Sequence, residues 1–202
     1  MQRFILMENI ARFRTWLAEE HDEFDRRVVR ELLAKALRDF AIFQAESAGL
    51  IAEIDVSQSQ EQKTMFRNSF ETSGDPYLLL DPRKGLHIVD INGAYGEATM
   101  TSSAKVAGNR LFDIFPDNPQ DPKADGVSNL FTSLSRVVET GKLDTMAIQR
   151  YDVRDADGVF VTKYWKPVNR PIVADGRLIY LLHHVEDVTE AVAKKQLSSC
   201  QS

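Results

Sequence analysis

The sequence predicts an α+β fold: a five-stranded antiparallel sheet with short helices on one face, preceded by N-terminal amphipathic helices. Residues 144–169 contain two β-rich runs separated by an Asp-Ala-Asp-Gly turn, and Asp-Gly between such runs is typical of a hairpin. Residues 126–139 carry a one-sided apolar stripe at helical spacing. Residues 177–186 form a strand with apolar side chains on both faces, so both faces of the sheet need cover.

Composition limits the class of protein. The chain has 202 residues, of which 43% are hydrophobic and 27% charged, as in soluble globular proteins, and we expect a cytoplasmic location. A net charge of −5 argues against a nucleic-acid partner. No apolar run reaches the roughly 20 residues that span a bilayer, so no membrane association is expected. The single cysteine, Cys200, excludes an internal disulfide framework and is expected to be an exposed thiol.

Two amphipathic helices are predicted in a first region, residues 1–56. Asn9 is the expected cap of a helix that ends near Leu17, and a second helix runs from about Asp25 to Ala48. Their apolar stripes need a partner surface, which is either this same chain or a second copy of it. The helices are also the spare apolar material that could cover the second sheet face. A homodimer through these helices and packing within one chain both stay open.

The remaining elements follow in order. The polar run 57–63 lacks apolar periodicity and is interpreted as a linker or an exposed helical connection. The domain 64–190 then contains a short helix, a hairpin of strands 77–81 and 86–91, and short helices at 93–100 and 108–115. Asn92 and Asp125 are the expected caps of the helices that follow them, and Gly141 ends the helix over 126–139. A C-terminal tail covers 191–202.

The region from about Met65 to Thr189 resembles a bacterial PAS sensor domain. The resemblance rests on an ordered set of segments rather than on one motif: FRNSFETSGDPYLLLD, HIVDINGAY, GNRLFDIFPDNP, the helix GVSNLFTSLSRVVETG, the strands MAIQRYDV and YWKPVNRPI, and the closing LIYLLHHVEDVTE. It implies a five-stranded sheet that cups a pocket under the helices. It also implies flanking helices that often mediate dimerisation and carry signals, and hence a sensory function.

The resemblance leaves the output open. Only 13 residues follow Thr189, too few for a kinase, cyclase or DNA-binding region. The chain is therefore expected to be a free-standing sensor with a downstream signalling partner, or the sensor fragment of a longer histidine kinase or regulator.

No enzymatic or metal-binding motif accompanies these elements. There is no phosphate-binding glycine loop, no HExxH or Cys–His metal spacing and no GxSxG nucleophile motif, so no enzymatic activity is expected. The acidic loop from Asp113 to Asp125 lacks the Asp-x-Asp-x-Asp-Gly spacing and closing Glu of a calcium loop. The sequence predicts no metal site.

Two prosthetic groups of PAS relatives can be tested by residue type. Photoactive flavin relatives form an adduct with a cysteine in the helical region, whereas the cysteine here is Cys200. Oxygen-sensing haem relatives use a histidine on the long helix, and residues 126–140 contain none. The resemblance therefore predicts neither flavin adduct photochemistry nor histidine-ligated haem, and the cofactor or ligand stays unknown.

What remains is a pocket between the sheet and the helix over 126–139. Gln149 and Tyr151 share a strand face, and His183 and His184 point to opposite faces, so one of the two histidines can reach the pocket. A filled core would give the same pattern, and the chain would then be a ligand-free interaction scaffold. The candidate ligand-binding residues are Tyr95, Met100, Phe112, Leu130, Leu134, Met146, Gln149, Tyr151, Trp165 and His183.

Overall fold

The computed structural model describes residues 1–51 and 56–199, with side chains for 1–51 and 60–198. The helices are α1 Gln2–Ala18, α2 Glu23–Ser47, α3 Val56–Phe70, α4 Gly93–Ala98, α5 Ser103–Val106, α6 Leu111–Ile114, α7 Gly126–Thr140 and α8 Thr189–Ser199. The strands are β1 Tyr77–Leu80, β2 Ile88–Ile91, β3 Asp144–Thr145, β4 Gln149–Arg150, β5 Val153–Arg154, β6 Phe160–Val161, β7 Tyr164–Ala174 and β8 Arg177–Asp187.

The strands confirm the predicted α+β class. The main sheet has the order β2-β1-β8-β7-β3, and every neighbouring pair in it is antiparallel. The short strand β4 pairs with the start of β7, next to β3 along the same edge. The long β7–β8 hairpin therefore forms the centre of the sheet, and the sequence positions 144–150 lie along its outer edge.

The predicted hairpin over 144–169 is present but interrupted. Asp155 accepts hydrogen bonds from the backbone N–H groups of Asp157 and Val159, and Gly158 has a φ of +80° that a glycine tolerates without strain. Only the short strands β5 and β6 flank this turn, in a ladder separate from the main sheet. The predicted first strand is thus divided into β3, β4 and β5 before the turn. The predicted second strand is divided into β6 and the start of β7 after it.

The main core lies between one face of the sheet and the helices. Helix α7 contributes its whole apolar stripe, including the fully buried Val127, Leu134 and Val137. The sheet contributes Leu78 and Leu80 from β1, together with residues of β2, β7 and β8. Burial of an aliphatic side chain is worth about 1.5–3 kcal/mol, so the α7 stripe is a main source of stability.

The second face of the sheet is covered by α3, which corrects the expectation that the N-terminal helices cover it. Phe66 packs there against Leu79, Ile179 and Leu182, with Phe70 beside it. The predicted linker 57–63 is helical and continuous with this short helix. The run is rich in Gln, Glu and Lys, which are good helix formers that need no apolar stripe when exposed.

A bulge in the central hairpin changes one predicted pair of side chains. Strand alternation groups Leu178 with Tyr180 and Leu182, but the register between β7 and β8 shifts at Ile172/Val173. Ile179 consequently joins Tyr180 and Leu182 in the outer cluster, whereas Leu178 packs against the main core.

Helix α2 packs on the domain within the same chain. Ala41 and Ala45 belong to the main core, and the Ala45 carbonyl accepts a 2.8 Å hydrogen bond from Gly85 N. Leu50 N donates to the Pro82 carbonyl at 2.8 Å. Small side chains at 41 and 45 permit this close approach of the helix to the core.

Several predicted boundaries move. Helix α1 begins at Gln2, so Asn9 lies inside it, and most of the predicted tail is helix α8; Cys200 lies outside the described residues. Asn92 caps α4 as expected, and Gly141 ends α7 in the left-handed conformation. Asp125 does not cap α7 through its side chain; Asp117 accepts from Val127 N instead. Within the described chain, no helix combines the length and apolarity needed to cross a membrane.

The substitution Gly49→Ala tests how closely the end of α2 must approach the β1–β2 loop. The φ of Gly49 is +69°, and a Cβ there would overlap the Arg83 backbone. We expect Gly49→Ala to cost about 1–3 kcal/mol more than Gly108→Ala, because overpacking is added to the strain of a positive φ. Gly108 is the matched control: its φ is +82° but nothing lies within 4 Å of a Cβ. Equal losses of unfolding free energy in urea would contradict the close contact.

Candidate functional site

A small cavity lies between the sheet and helices α4, α6 and α7. Its volume is about 50 Å³. Strands β4, β7 and β8 form one wall and the helices the other. The lining residues are Tyr95, Thr99, Leu111, Phe115, Gly126, Leu130, Met146, Gln149, Tyr151, Val153, Trp165, Pro167, His183 and Val185.

The structure brings seven of the ten predicted ligand-binding residues to this cavity. They are Tyr95, Leu130, Met146, Gln149, Tyr151, Trp165 and His183. Phe112 and Leu134 are buried in the main core without lining the cavity, and Met100 is 36% exposed with a positive φ at the end of α4. The cavity-lining residues that were not predicted include Val153, Pro167 and Val185. Strand alternation from Tyr151, Trp165 and His183 would have found all three.

A chain of hydrogen bonds runs from the cavity to the surface. His183 Nδ1 lies 2.6 Å from Asn169 Oδ1, and Asn169 Nδ2 donates to Ser133 Oγ at 2.7 Å. Ser133 Oγ in turn donates to Asp144 Oδ2 at 2.6 Å, and Arg136 donates to the other oxygen of Asp144 at 2.7 Å. The chain ties β7 and β8 to α7 and β3.

This chain determines the tautomer of His183. Because the Asn169 amide nitrogen donates to Ser133, its oxygen faces the histidine, and His183 Nδ1 must donate to it. The neutral ring then keeps Nε2 as a hydrogen-bond acceptor. Burial, with a smaller contribution from His184, lowers the pKa of His183 to about 3, so the ring is neutral at physiological pH. The carboxylate of Asp144 has a pKa below its ordinary value because Ser133 and Arg136 donate to it.

Tyr151 forms part of the cavity wall and packs against the beginning of α7. Its hydroxyl donates to the Phe115 carbonyl, and its own carbonyl accepts from Trp165 Nε1 at 2.8 Å. A Cβ at Gly126 would overlap the Tyr151 ring, so the first residue of α7 must be glycine for the ring to lie flat there. Burial raises the pKa of Tyr151 well above its ordinary value. The side chain is therefore a neutral, tightly held wall of the cavity.

Asp117 lies on the far side of this wall. It is buried, and its Oδ1 accepts from Val127 N at 3.0 Å in the first turn of α7. Its Oδ2 has no hydrogen-bond partner and lies 3.6 Å from Arg38 NH1 of α2. Burial raises the pKa of Asp117, against the opposing effects of the Val127 N–H and Arg38.

Two other polar residues of this loop have protein partners. Asn118 Nδ2 donates to Asp152, and Asp121 pairs with Arg150 at 3.1 Å. In the part of the chain with described side chains, no group of three or more His, Cys, Asp or Glu could hold a metal ion.

Two polar atoms of the cavity wall have no partner among the described residues. They are the hydroxyl of Tyr95 and Nε2 of His183, and both residues are more than nine-tenths buried. Tyr95 and His183 approach each other edge to face, with ring centroids 6.1 Å apart. Both residues line the cavity, so these two atoms are available to a polar occupant.

The cavity does not fit the large prosthetic groups of PAS relatives. Sites for such molecules have volumes of about 300–1,000 Å³, and this one has about 50 Å³. Its wall contains no cysteine, and its histidine comes from β8 rather than α7. Neither a flavin adduct nor histidine-ligated haem is compatible with these residues as they stand.

The comparisons with known proteins identify the fold. No family model and no curated protein matches the chain. An RNA-binding light-oxygen-voltage receptor aligns at 16% identity with a TM-score of 0.50, over 86% of this chain and 48% of that one, so the chain spans about half of the receptor. A PAS domain from Colwellia psychrerythraea aligns at 17% identity with a TM-score of 0.46, over 65% of this chain and 98% of that one. A LOV protein from Rhodobacter sphaeroides aligns at 13% identity with a TM-score of 0.48, over 65% of this chain and 68% of that one. Residues 65–189 have a PAS-like fold.

The neutral state of His183 makes stability depend on pH. Because its pKa falls from 6.5 in the unfolded chain to about 3 in the folded one, the unfolded state binds the extra proton between these values. The contribution of His183 to the free energy of unfolding is therefore complete above pH 6.5. It is lost as the pH falls toward 3, by at most about 1.4 kcal/mol per pH unit. His184 has a lowered pKa and adds to the same window.

His183→Gln should flatten this profile between pH 6.5 and 5, above the range in which the carboxylates titrate. The amide of glutamine can still donate to Asn169, so the variant should fold. Urea unfolding at several pH values measures the slope. A slope in the variant equal to that of the wild-type chain would show that His183 is not held neutral.

Proposed function

We propose that this chain is a sensory signal-transduction module in which a small ligand, or a protein partner, biases the position of the N-terminal helices. The PAS-like fold supports a sensory role in general. The observation that carries the proposal is the position of Tyr151. Its side chain forms part of the cavity wall and donates to the carbonyl of Phe115, two residues before Asp117, which pairs with Arg38 of α2.

The cavity is the proposed input. Its lining is mostly apolar with a few convergent polar groups, as in small-molecule sites. The unpartnered Tyr95 hydroxyl and His183 Nε2 supply a donor and an acceptor there. An occupant that contacts these groups also contacts Tyr151, Gln149 and Trp165.

The proposed route out of the cavity has three contacts. The Tyr151 hydroxyl holds the Phe115 carbonyl, two residues before Asp117. Asp117 caps α7 and pairs with Arg38 on α2 at 3.6 Å. Because Oδ2 of Asp117 has only this ion pair, a small displacement of the 115–117 segment changes the attraction that holds α2. The same displacement changes the interaction energy of the buried Asp117–Arg38 pair more than it would change that of an exposed ion pair.

The helices α1 and α2 are the proposed output. Exposed apolar side chains on α1 can mark an interaction surface: Phe4 is 67% exposed and Ile5 is 50% exposed. On α2, Phe24, Val28 and Leu32 are also exposed. We propose that a second copy covers these side chains, giving a homodimer whose helix packing responds to the cavity. Ligand binding then shifts the population between two packings in proportion to its differential affinity for them.

The dimer is tested by light scattering after size exclusion. The intact chain should elute with twice its monomer mass of 22.9 kDa, and Phe4→Glu/Ile5→Glu should give a folded monomer because charges cannot be buried in an apolar interface. Leu143→Glu is the control, since Leu143 is 60% exposed in the α7–β3 turn, on another surface. A monomeric intact chain at micromolar concentration would rule out the helix interface.

The route is tested by a double-mutant cycle in unfolding free energy. Tyr151→Phe removes the hydroxyl at the cavity wall, and Arg38→Gln removes the charge on α2. We expect a coupling energy of about 0.5–3 kcal/mol, because both act on the 115–117 segment. Tyr180→Phe on the outer sheet face replaces Tyr151→Phe in the control cycle and should couple to Arg38 by less than about 0.5 kcal/mol. Coupling no larger than in the control would exclude the route.

A ligand-free interaction scaffold is the second candidate, and the small size of the cavity favours it. In that case the chain binds a signalling protein through its helices, alone or as the sensor part of a longer histidine kinase or regulator. Native mass spectrometry separates the candidates: retained small-molecule mass favours the sensor. Bare protein mass, with no change in melting temperature across a metabolite panel, favours the scaffold.

A further inference from the structure

We propose that the cavity selects an uncharged molecule of about four non-hydrogen atoms that carries a hydrogen-bond donor beside a carbonyl-type acceptor, as in a primary amide or urea. The proposal rests on the sensory function proposed above and adds the chemistry of the ligand. It follows from the charge, the unpartnered groups and the volume of the cavity.

The absence of charge in the wall sets the first property. None of the lining residues is Lys, Arg, Asp or Glu, and the one histidine is neutral. An ionised ligand in this space would lose its hydration without gaining a counter-charge, which costs far more than a neutral hydrogen-bonding group. Carboxylates, phosphates and amines are therefore selected against.

The free polar atoms set the second property. His183 Nε2 accepts, because Nδ1 donates to Asn169. The Tyr95 hydroxyl is available to donate. Four other polar groups of the wall are used: Thr99 Oγ donates to the Tyr95 carbonyl, Trp165 Nε1 to the Tyr151 carbonyl and the Tyr151 hydroxyl to the Phe115 carbonyl, and Gln149 Oε1 accepts from Asn129 at 3.4 Å. A ligand that satisfies both free atoms must itself donate to His183 and accept from Tyr95.

The volume sets the third property. A water needs roughly 10–15 Å³ of such space, so a cavity of about 50 Å³ holds about four waters or a molecule of similar size. Such a ligand has few contacts, and we expect a dissociation constant on the order of millimolar for a simple probe.

Three isosteric probes separate the properties. Acetamide has the donor and the acceptor, acetone lacks the donor, and acetate at pH 7.5 carries a charge. The intact chain is titrated with each while the indole N–H signals of its two tryptophans are followed by NMR. Trp165 lines the cavity, whereas Trp16 lies on α1 and serves as an internal control.

The proposal predicts a saturable shift of the Trp165 signal by acetamide, no shift of the Trp16 signal, and at least tenfold weaker binding of acetone and acetate. Tyr95→Phe should weaken acetamide binding at least fivefold and still fold, because the hydroxyl has no described protein partner. Tyr180→Phe, on the outer sheet face, should leave binding unchanged.

Two results would overturn the ligand assignment. One is equal binding of acetate or acetone, which would leave the cavity as an input of different chemistry. The other is an unchanged Trp165 signal with all three probes, which would mean that the cavity does not take this class. Neither result alters the Tyr151–Arg38 coupling or the oligomeric state, so the sensory function is judged separately.

Discussion

The contact between the Tyr151 ring and the first residue of α7 constrains the rest of the candidate site. The ring can lie against the helix only because residue 126 is glycine. From that position its hydroxyl reaches the Phe115 carbonyl, and its backbone accepts from Trp165. The same placement closes the cavity on one side and fixes the segment that leads to Asp117. The proposed input, the cavity, and the proposed output, helix α2, are adjacent because the Tyr151 ring lies between them.

The polar chain from His183 to Asp144 complements this contact on the opposite side of the cavity. It joins the two central strands to α7 through a continuous set of hydrogen bonds, and such networks hold a unique arrangement because each broken member leaves a buried polar group unpaired. The cavity is thus held rigidly at His183. At Tyr151, a hydrogen bond to Phe115 and the ion pair of Asp117 with Arg38 lead from the cavity wall to α2.

Local patterns in the sequence were enough to predict the fold and most of the site. Alternation placed Gln149 with Tyr151, and helical spacing found the α7 stripe. Features that depend on distant partners could not be read in this way. Asp117 and Asp125 are equivalent capping candidates until the loop brings one of them to Val127. The need for glycine at 126 depends on a ring 25 residues away, and the polar run before Phe66 gave no sign that α3 covers the sheet.

Amide hydrogen exchange in Tyr151→Phe measures whether the cavity wall and helix α2 are coupled through Tyr151, as we propose. Exchange should become faster over α2, residues 23–47, and at the start of α7, and should stay unchanged over α3, because α3 packs on the other sheet face. Unchanged exchange over α2 in the variant, with a normal fold elsewhere, would show that the cavity wall and α2 are not coupled.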